Sequence, residues 1–289
     1  MKFLIYSFNY NWRVGGIVVL NKLADLISEL GHESYVIDEN RKTHGPATRI
    51  NLDAAIEIAK DAKTFVIYPE VIVDNPLNAK NVCRWVLYFP GVNGGDKTYH
   101  HSEFVFVYNK AFVLNTPYSD SLEIKIVDTM LGEMSNLGIK RTKDAILTKK
   151  GRQDLEERKR IYVEPFLEKL IEVESADELI AGCVDIADYN RKLNEVRYFI
   201  SYDNYTYHNI LAALAGCKSI VIPELGKSKE EYLLEYPERV PYVSYGFDEC
   251  FQFQESSMLQ NQLKTVEIKN LQFASKLIEE IQIHFKQLA

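Results

Sequence analysis

Apolar runs and amphipathic stretches alternate along the chain from its first residues. Residues 2–7 (KFLIYS) predict a buried strand, and residues 17–30 carry apolar side chains at helical spacing. Gly31 predicts the end of that helix, and residues 33–38 predict the next strand. This strand, helix, strand order is typical of the opening of a doubly wound parallel sheet.

The alternation continues in two series separated by a polar segment. Further strands are predicted at residues 64–70, 84–89 and 103–108, and then at 145–148, 160–163, 198–202, 219–223 and 242–244. Helices are predicted at residues 52–62, 175–189, 206–215 and 229–235, with a long helical pattern at 256–287. Residues 132–144, which are polar and contain two glycines, predict a linker.

Composition and charge narrow the class of protein. The net charge is -7 and no long basic run is present, which disfavours a nucleic-acid-binding protein. The four cysteines are scattered and form no CxxC pair, so neither a disulfide framework nor a zinc site is predicted. Neither a signal peptide nor an apolar run of membrane-spanning length is recognisable. We therefore expect a cytoplasmic protein that binds no nucleic acid.

Two loops carry residues suited to binding a phosphate group. Gly15 and Gly16 open the first helix, where free N–H groups and the helix dipole favour an anion, although the loop lacks the GxGxxG fingerprint. A turn with left-handed backbone is the alternative explanation of these glycines. Lys149, Lys150 and Arg152 follow the strand at 145–148 and predict a diphosphate clamp, with a solvated charge cluster as the alternative.

The segment from 198 to 224 combines a strand, a polar loop, a small-residue helix and a second strand. Asp203, Asn204, Tyr205 and Thr206 lie in the loop, where they either bind an anion at the helix start or only cap the helix. Glu224 follows the second strand. These loop residues are our candidates for contacts with a nucleotide.

Three segments resemble one family of enzymes. Residues 210–224 (ILAALAGCKSIVIPE) resemble the donor-binding core of GT-B glycosyltransferases, and residues 14–38 resemble the first βαβ unit of that superfamily. Residues 84–95 (RWVLYFPGVNGG) resemble a strand–Pro–Gly loop of bacterial surface-polysaccharide transferases of the capsule or O-antigen type. The E-x7-E arrangement of many retaining members is absent.

The resemblance implies an α/β fold with two Rossmann-like domains that face each other across a cleft. We place the domains at residues 1–138 and 139–270, with a helix at 271–289 crossing back to the first domain. The implied reaction moves a sugar from a nucleotide-sugar donor to a hydroxyl of a glycan or lipid-linked acceptor, without metal or cofactor. The three cations and the loop at 203–206 would hold the diphosphate, and Glu164 or Glu224 would bind ribose hydroxyls.

An inverting transferase also needs a general base, for which Glu70, His100 and His101 are the candidates. Two other functions stay open. One is a nucleotide-sugar 2-epimerase on the same scaffold, which would convert the donor without an acceptor. The other is a non-catalytic nucleotide- or glycan-binding subunit of a polysaccharide assembly. Contact with a membrane surface and the oligomeric state stay open as well.

Overall fold

The computed structural model describes residues 1–40, 45–128, 130, 132–148, 154–235, 242–247 and 256–287. The chain divides into two compact units, Met1–Asp128 with Val266–Ala289, and Thr129–Thr265. A domain is a unit that could fold alone, and packing by itself does not test that property. The domain limits predicted from the sequence therefore stay predictions.

Each unit holds one sheet in which all neighbouring strands run parallel. The strands are β1 (Lys2–Ile5), β2 (Glu33–Ile37), β3 (Thr48–Ile50), β4 (Thr64–Pro69), β5 (Asn81–Val86), β6 (Phe104–Val107), β7 (Leu122–Glu123), β8 (Lys143–Leu147), β9 (Val173–Ser175), β10 (Val196–Ser201), β11 (Lys218–Val221) and β12 (Val243–Tyr245). The helices are α1 (Gly15–Glu29), α2 (Leu52–Ala59), α3 (Leu155–Arg158), α4 (Ala176–Ala181), α5 (Ile186–Leu193), α6 (His208–Leu214), α7 (Lys229–Glu235), α8 (Ser256–Ile268) and α9 (Asn270–Gln287).

The strand order of each sheet is that of a doubly wound fold. The first sheet runs β3-β2-β1-β4-β5-β6-β7, so its order reverses between β1 and β4. The second sheet runs β12-β11-β10-β8-β9, and its order reverses between β8 and β10. The predicted class, α/β with two Rossmann-like sheets, is confirmed.

Helices cover both faces of the first sheet. Phe3 and Ile5 of β1 point to the face that packs α1 and α9, whereas Leu4 points to the face that packs α2. Successive side chains of a strand point to opposite faces, so a strand covered on both sides must be apolar throughout. That requirement explains the unbroken apolar run at the start of the chain.

The last helix belongs to the first unit. Ala274, Leu277, Ile278 and Ile281 of α9 are all buried in the core that also contains the α1 side chains. The predicted return of the C-terminal helix to the first domain is therefore confirmed. The helical pattern at 256–287 is interrupted at Lys269, between α8 and α9.

Asn270, the first residue of α9, fixes the start of this helix. Its Nδ2 donates to the Val127 carbonyl at 2.7 Å, and its Oδ1 accepts from the Val127 N–H at 3.0 Å. Only 2% of Asn270 is exposed, so water does not compete for these bonds.

Replacing Asn270 by alanine is expected to lower the free energy of unfolding by about 1–3 kcal/mol, because two backbone groups lose their partner. Chemical denaturation measures the loss. The control is Asn261→Ala, since Asn261 lies exposed on α8. Equal stability of the two variants would show that the Val127 pairing contributes nothing.

The segment at 132–144, predicted as a linker, is bonded to the second unit. The N–H groups of Ser135 and Leu137 donate to the side-chain oxygens of Asn190 and Asn194 at 3.1 and 2.7 Å. Arg141 donates to the Val196 and Ala215 carbonyls, both at 2.6 Å. These bonds attach the segment to α5 and to the sheet, and β8 begins within it.

The strand predicted at residues 160–163 is wrong. α3 continues as a π turn over Lys159–Val163 and a 3-10 turn over Glu164–Lys169. A short apolar run after charged residues fits either a strand or a buried helical turn, and the pattern alone does not separate them. Val163 packs here against Ile200 and Ile220, so its burial comes from covering the sheet.

Among the described residues, no helix is both long and apolar enough to span a bilayer.

Candidate functional site

The topology indicates where each unit would bind a ligand. In open parallel sheets, ligands lie beyond the carboxyl ends of the strands, at the point where the strand order reverses. In the first unit this switch point lies between β1 and β4, and in the second unit between β8 and β10. Among the predicted site residues that the structure describes, all but His100 and His101 lie in segments that leave the carboxyl end of a strand.

Gly15 and Gly16 lie at the switch point of the first unit. They are the first two residues of α1, and the preceding Val14 makes no side-chain bond to the helix start. Both glycines are helical, so the alternative of a left-handed turn is not formed. A Cβ on Gly16 would meet Leu87 Cδ1 at 3.6 Å, an ordinary contact. Packing within the unit therefore does not require glycine at position 16.

Glu70 follows β4 at the same edge and is only 4% exposed. Its Oε2 accepts the Leu87 N–H at 3.0 Å, and its backbone N–H donates to the Trp85 carbonyl at 3.1 Å. Gly95 lies so close to the Glu70 carbonyl that a Cβ would be 2.0 Å from it. Glu70 thus holds the end of β5, and Leu87 connects it to Gly16. Gly16 and Glu70 thus both lie next to Leu87.

His100 and His101 are not brought to Glu70. Both are exposed and precede β6, so they lie at the amino end of a parallel strand, on the opposite edge of the sheet. Nδ1 of His100 lies 2.7 Å from the Ser102 hydroxyl oxygen, and the two imidazole rings are 4.1 Å apart.

In the second unit, the loop after β10 is organised by bonds among its own residues. The Ser201 hydroxyl donates to the Asp203 carbonyl at 2.8 Å and accepts the Asp203 N–H at 3.1 Å. Asp203 Oδ1 accepts the Tyr205 N–H at 3.0 Å, and Thr206 Oγ1 accepts the His208 N–H at 3.4 Å. Two of the amides expected to face an anion are thus already bonded within the loop. These bonds fix the conformation of the loop that precedes α6.

Tyr205 joins this loop to the loop after β11. Its hydroxyl accepts from Lys227 Nζ at 2.8 Å and donates to Glu235 Oε2 at 3.1 Å. Burial, reinforced by the charges of Glu224 and Glu235, raises the pKa of Tyr205, so the hydroxyl stays protonated. Lys227 Nζ also lies 3.6 Å from Glu224 Oε2. Among the predicted residues, Tyr205 and Glu224 therefore share one charged network at the carboxyl edge.

Three members of this edge were not predicted from the sequence. Lys227 precedes the helix predicted at 229–235 and Glu235 ends it, and their side chains are only 14% and 20% exposed. Arg158 lies in a run of charged residues and is only 3% exposed. Its side chain reaches the ends of β10 and β11 and lies beside Asn204, with Nη2 3.5 Å from Asn204 Oδ1. No periodicity in LEERKR marks one cation as the buried one.

Four further residues were predicted for the donor site in the second part of the chain. Lys149, Lys150 and Arg152 lie outside the described residues. Glu164 is exposed at the start of the 3-10 turn in the connection between β8 and β9. Burial raises the pKa of Tyr202, and the charge of Glu164 adds to this effect, so Glu164 lies within electrostatic range of the residue that follows β10. In the described part of the chain, no group of three or more His, Cys, Asp or Glu residues is arranged to hold a metal ion.

No protein-family model and no curated protein sequence matches this chain. Two solved structures align along nearly all of it. The calicheamicin glycosyltransferase CalG4 is 10% identical with a TM-score of 0.34, covering 99% of each chain. MurG of Acinetobacter baumannii is 11% identical with a TM-score of 0.31, covering 100% of this chain and 95% of its own. At such scores neither alignment identifies a reaction or a residue of this chain.

Proposed function

We propose that the protein transfers a sugar from a nucleotide-sugar donor to a hydroxyl of a glycan or lipid-linked acceptor, and that its second unit binds the donor. One observation carries the proposal. The loops after β10 and β11 meet at the switch-point edge of the second sheet, where Tyr205, Glu224 and Lys227 form one polar network. The GT-B-like segments at residues 14–38, 84–95 and 210–224 support the same reaction.

The donor's diphosphate leaves with negative charge, so cations near it would stabilise the transition state. β8 pairs with β10, with Leu147 opposite Ser201, so the two strands end side by side. The loop after β8 contains Lys149, Lys150 and Arg152, and the loop after β10 contains Asn204. We assign the diphosphate to these two loops. Side-chain cations perform the neutralisation, so the proposed reaction needs no metal ion and no cofactor.

Glu224 is the residue we assign to the ribose hydroxyls of the donor. Its side chain is 38% exposed, while Lys227 lies 3.6 Å from its Oε2. A carboxylate held at the edge of a site accepts hydrogen bonds from vicinal hydroxyls. For the general base we favour Glu70 over the histidines, because Glu70 lies at the switch point of the first sheet and they do not. The hydrogen bond from Leu87 fixes the position of its Oε2.

A nucleoside diphosphate is expected to raise the melting temperature of the protein. The panel is UDP, GDP, ADP, dTDP and CDP, measured by thermal shift. At about 100 times its Kd, a ligand specific for the native state adds about 2.7 kcal/mol. For a protein of this size that is a shift of several degrees, at about 2–4 °C per kcal/mol.

The shift should disappear in the double variant Lys149→Ala/Lys150→Ala. The control is Lys60→Ala/Lys63→Ala, which removes the same charge from exposed positions of the first unit and should keep the shift. If all five nucleotides leave the melting temperature unchanged, the donor site does not exist and the proposal fails. If the nucleotide shifted the melting temperature of both double variants equally, Lys149 and Lys150 would not belong to the donor site.

Turnover separates the three functions that the sequence left open. With the nucleotide identified, its sugar conjugates are incubated with and without a glycan acceptor and followed by NMR. Transfer to the acceptor supports the proposal. A C2 epimer formed from the donor alone would instead show the epimerase, and binding without any conversion would show a non-catalytic subunit.

A further inference from the structure

Arg158 is a buried cation that donates hydrogen bonds to three main-chain carbonyls. Its Nε donates to the Pro223 carbonyl at 2.9 Å. Its Nη2 donates to the Ile222 carbonyl at 2.6 Å and to the Tyr202 carbonyl at 3.0 Å. Its guanidinium carbon also lies 5.3 Å from the centre of the Tyr202 ring.

These partners belong to different loops. Tyr202 follows β10, whereas Ile222 and Pro223 follow β11. Arg158 itself ends α3, which follows the loop after β8. One side chain therefore joins the three connections that leave the carboxyl ends of β8, β10 and β11, on both sides of the switch point.

Among cationic side chains, only a guanidinium has the shape to donate to these three carbonyls at once. Its planar fork presents five N–H donors in fixed directions, whereas a lysine ammonium donates from a single point. Burial lowers the pKa of Arg158, and the charge of Glu224 acts in the opposite direction. An arginine nevertheless stays charged in proteins, so a positive charge is retained beneath the loops.

Arg158 also lies beside a residue of the candidate donor site. Its Nη2 is 3.5 Å from the amide oxygen Oδ1 of Asn204, a residue that is only 1% exposed. An amide whose oxygen faces a cation turns its Nδ2 donors the other way. The guanidinium thereby sets which end of the Asn204 amide a ligand would meet.

We propose that Arg158 is the positioning residue of the donor site, which holds the loops after β10 and β11 and the Asn204 amide in the arrangement that binds a nucleoside diphosphate. This inference rests on the proposed function. Arg158 does not touch the ligand. It acts through the carbonyls and the amide that it bonds.

The test compares Arg158→Lys with Arg84→Lys. Arg84 is a matched control in the first unit, because its side chain is also fully buried and donates to the Ile72 and Asp74 carbonyls at 2.8 and 2.9 Å. Both variants lose a buried fork and should melt at a lower temperature. Calorimetry at a temperature where both are folded then measures the Kd of the nucleoside diphosphate that the unmodified protein binds.

We expect the Kd to rise at least about tenfold in Arg158→Lys, which corresponds to about 1.4 kcal/mol, and to change less than about twofold in Arg84→Lys. Equal Kd values in the unmodified protein and Arg158→Lys would overturn the positioning role while leaving the proposed function intact. If none of the five nucleotides binds the unmodified protein, the proposed function and the positioning role both fail.

A second measurement covers the case in which Arg158→Lys does not fold. Hydrogen exchange of the unmodified protein is recorded with and without the same nucleotide. We expect slower hydrogen exchange at residues 202–206 and 224–227 when the nucleotide is bound. Protection confined to other segments would overturn it, because the loops that Arg158 holds would then take no part in binding.

Discussion

Replacing Ile281 by alanine is expected to lower the free energy of unfolding by about 2–5 kcal/mol. Ile281 of α9 is fully buried in the core of the first unit, although it lies more than 150 residues further along the chain than any residue of that sheet. Its neighbours on the helix, Leu277 and Ile278, fill the same core. A domain of ordinary stability has about 5–15 kcal/mol in total, so one truncation removes a large share.

Ile283 provides the control on the same helix. Its side chain is 50% exposed, and Ile283→Ala should change stability by no more than about 0.5 kcal/mol. Both variants are compared by chemical denaturation, with the slope of the transition checked for a common unfolded state. If the two variants lost the same amount, α9 would not be part of the core and the first unit would be complete without it.

The order of elements could be predicted from the sequence because each parallel strand is apolar and each crossover helix is amphipathic. α7 (Lys229–Glu235) has the predicted bounds, and α6 starts two residues after the predicted position. β3, β7 and β9 have two or three residues and were not predicted, because so short a strand leaves little periodicity to detect; β12, which also has three, was predicted one residue early. The π turn at Lys159–Val163 was predicted as a strand for a related reason, since its burial is decided by the sheet it covers.

The candidate site was predictable only in part. Asp203, Asn204, Tyr205 and Glu224 follow predicted strands, and the topology of a parallel sheet brings such loops to one edge. Arg158 was missed because nothing in its own segment distinguishes it from the cations beside it. Its burial depends on carbonyls that lie 44 to 65 residues away in the chain. Long-range partners of this kind are set by tertiary packing and leave no local pattern.

The second large loss of stability is expected from replacing Asp144 of β8, because its carboxylate is fully buried and accepts four hydrogen bonds. Its Oδ1 accepts the Tyr198 N–H at 3.0 Å and Arg197 Nε at 3.1 Å. Its Oδ2 accepts Arg197 Nη2 at 2.7 Å and the Ile171 N–H at 2.8 Å. The carboxylate in turn raises the pKa of Arg197. We expect Asp144→Ala to lower the free energy of unfolding by about 2–5 kcal/mol, because two backbone N–H groups and Arg197, whose side chain is 30% exposed, all lose their partner.

The control for this prediction is an ion pair in solvent. Glu157 and Arg160 lie 3.7 Å apart with side chains 52% and 70% exposed, so Glu157→Gln should leave stability almost unchanged. Denaturation in 1 M salt separates the two cases further, because salt screens exposed charges much more than buried ones. The cost of Asp144→Ala should persist there. If it fell to the level of Glu157→Gln, the hydrogen bonds to Ile171 and Tyr198 would contribute nothing, and Asp144 would stabilise the protein only by a screened attraction to Arg197.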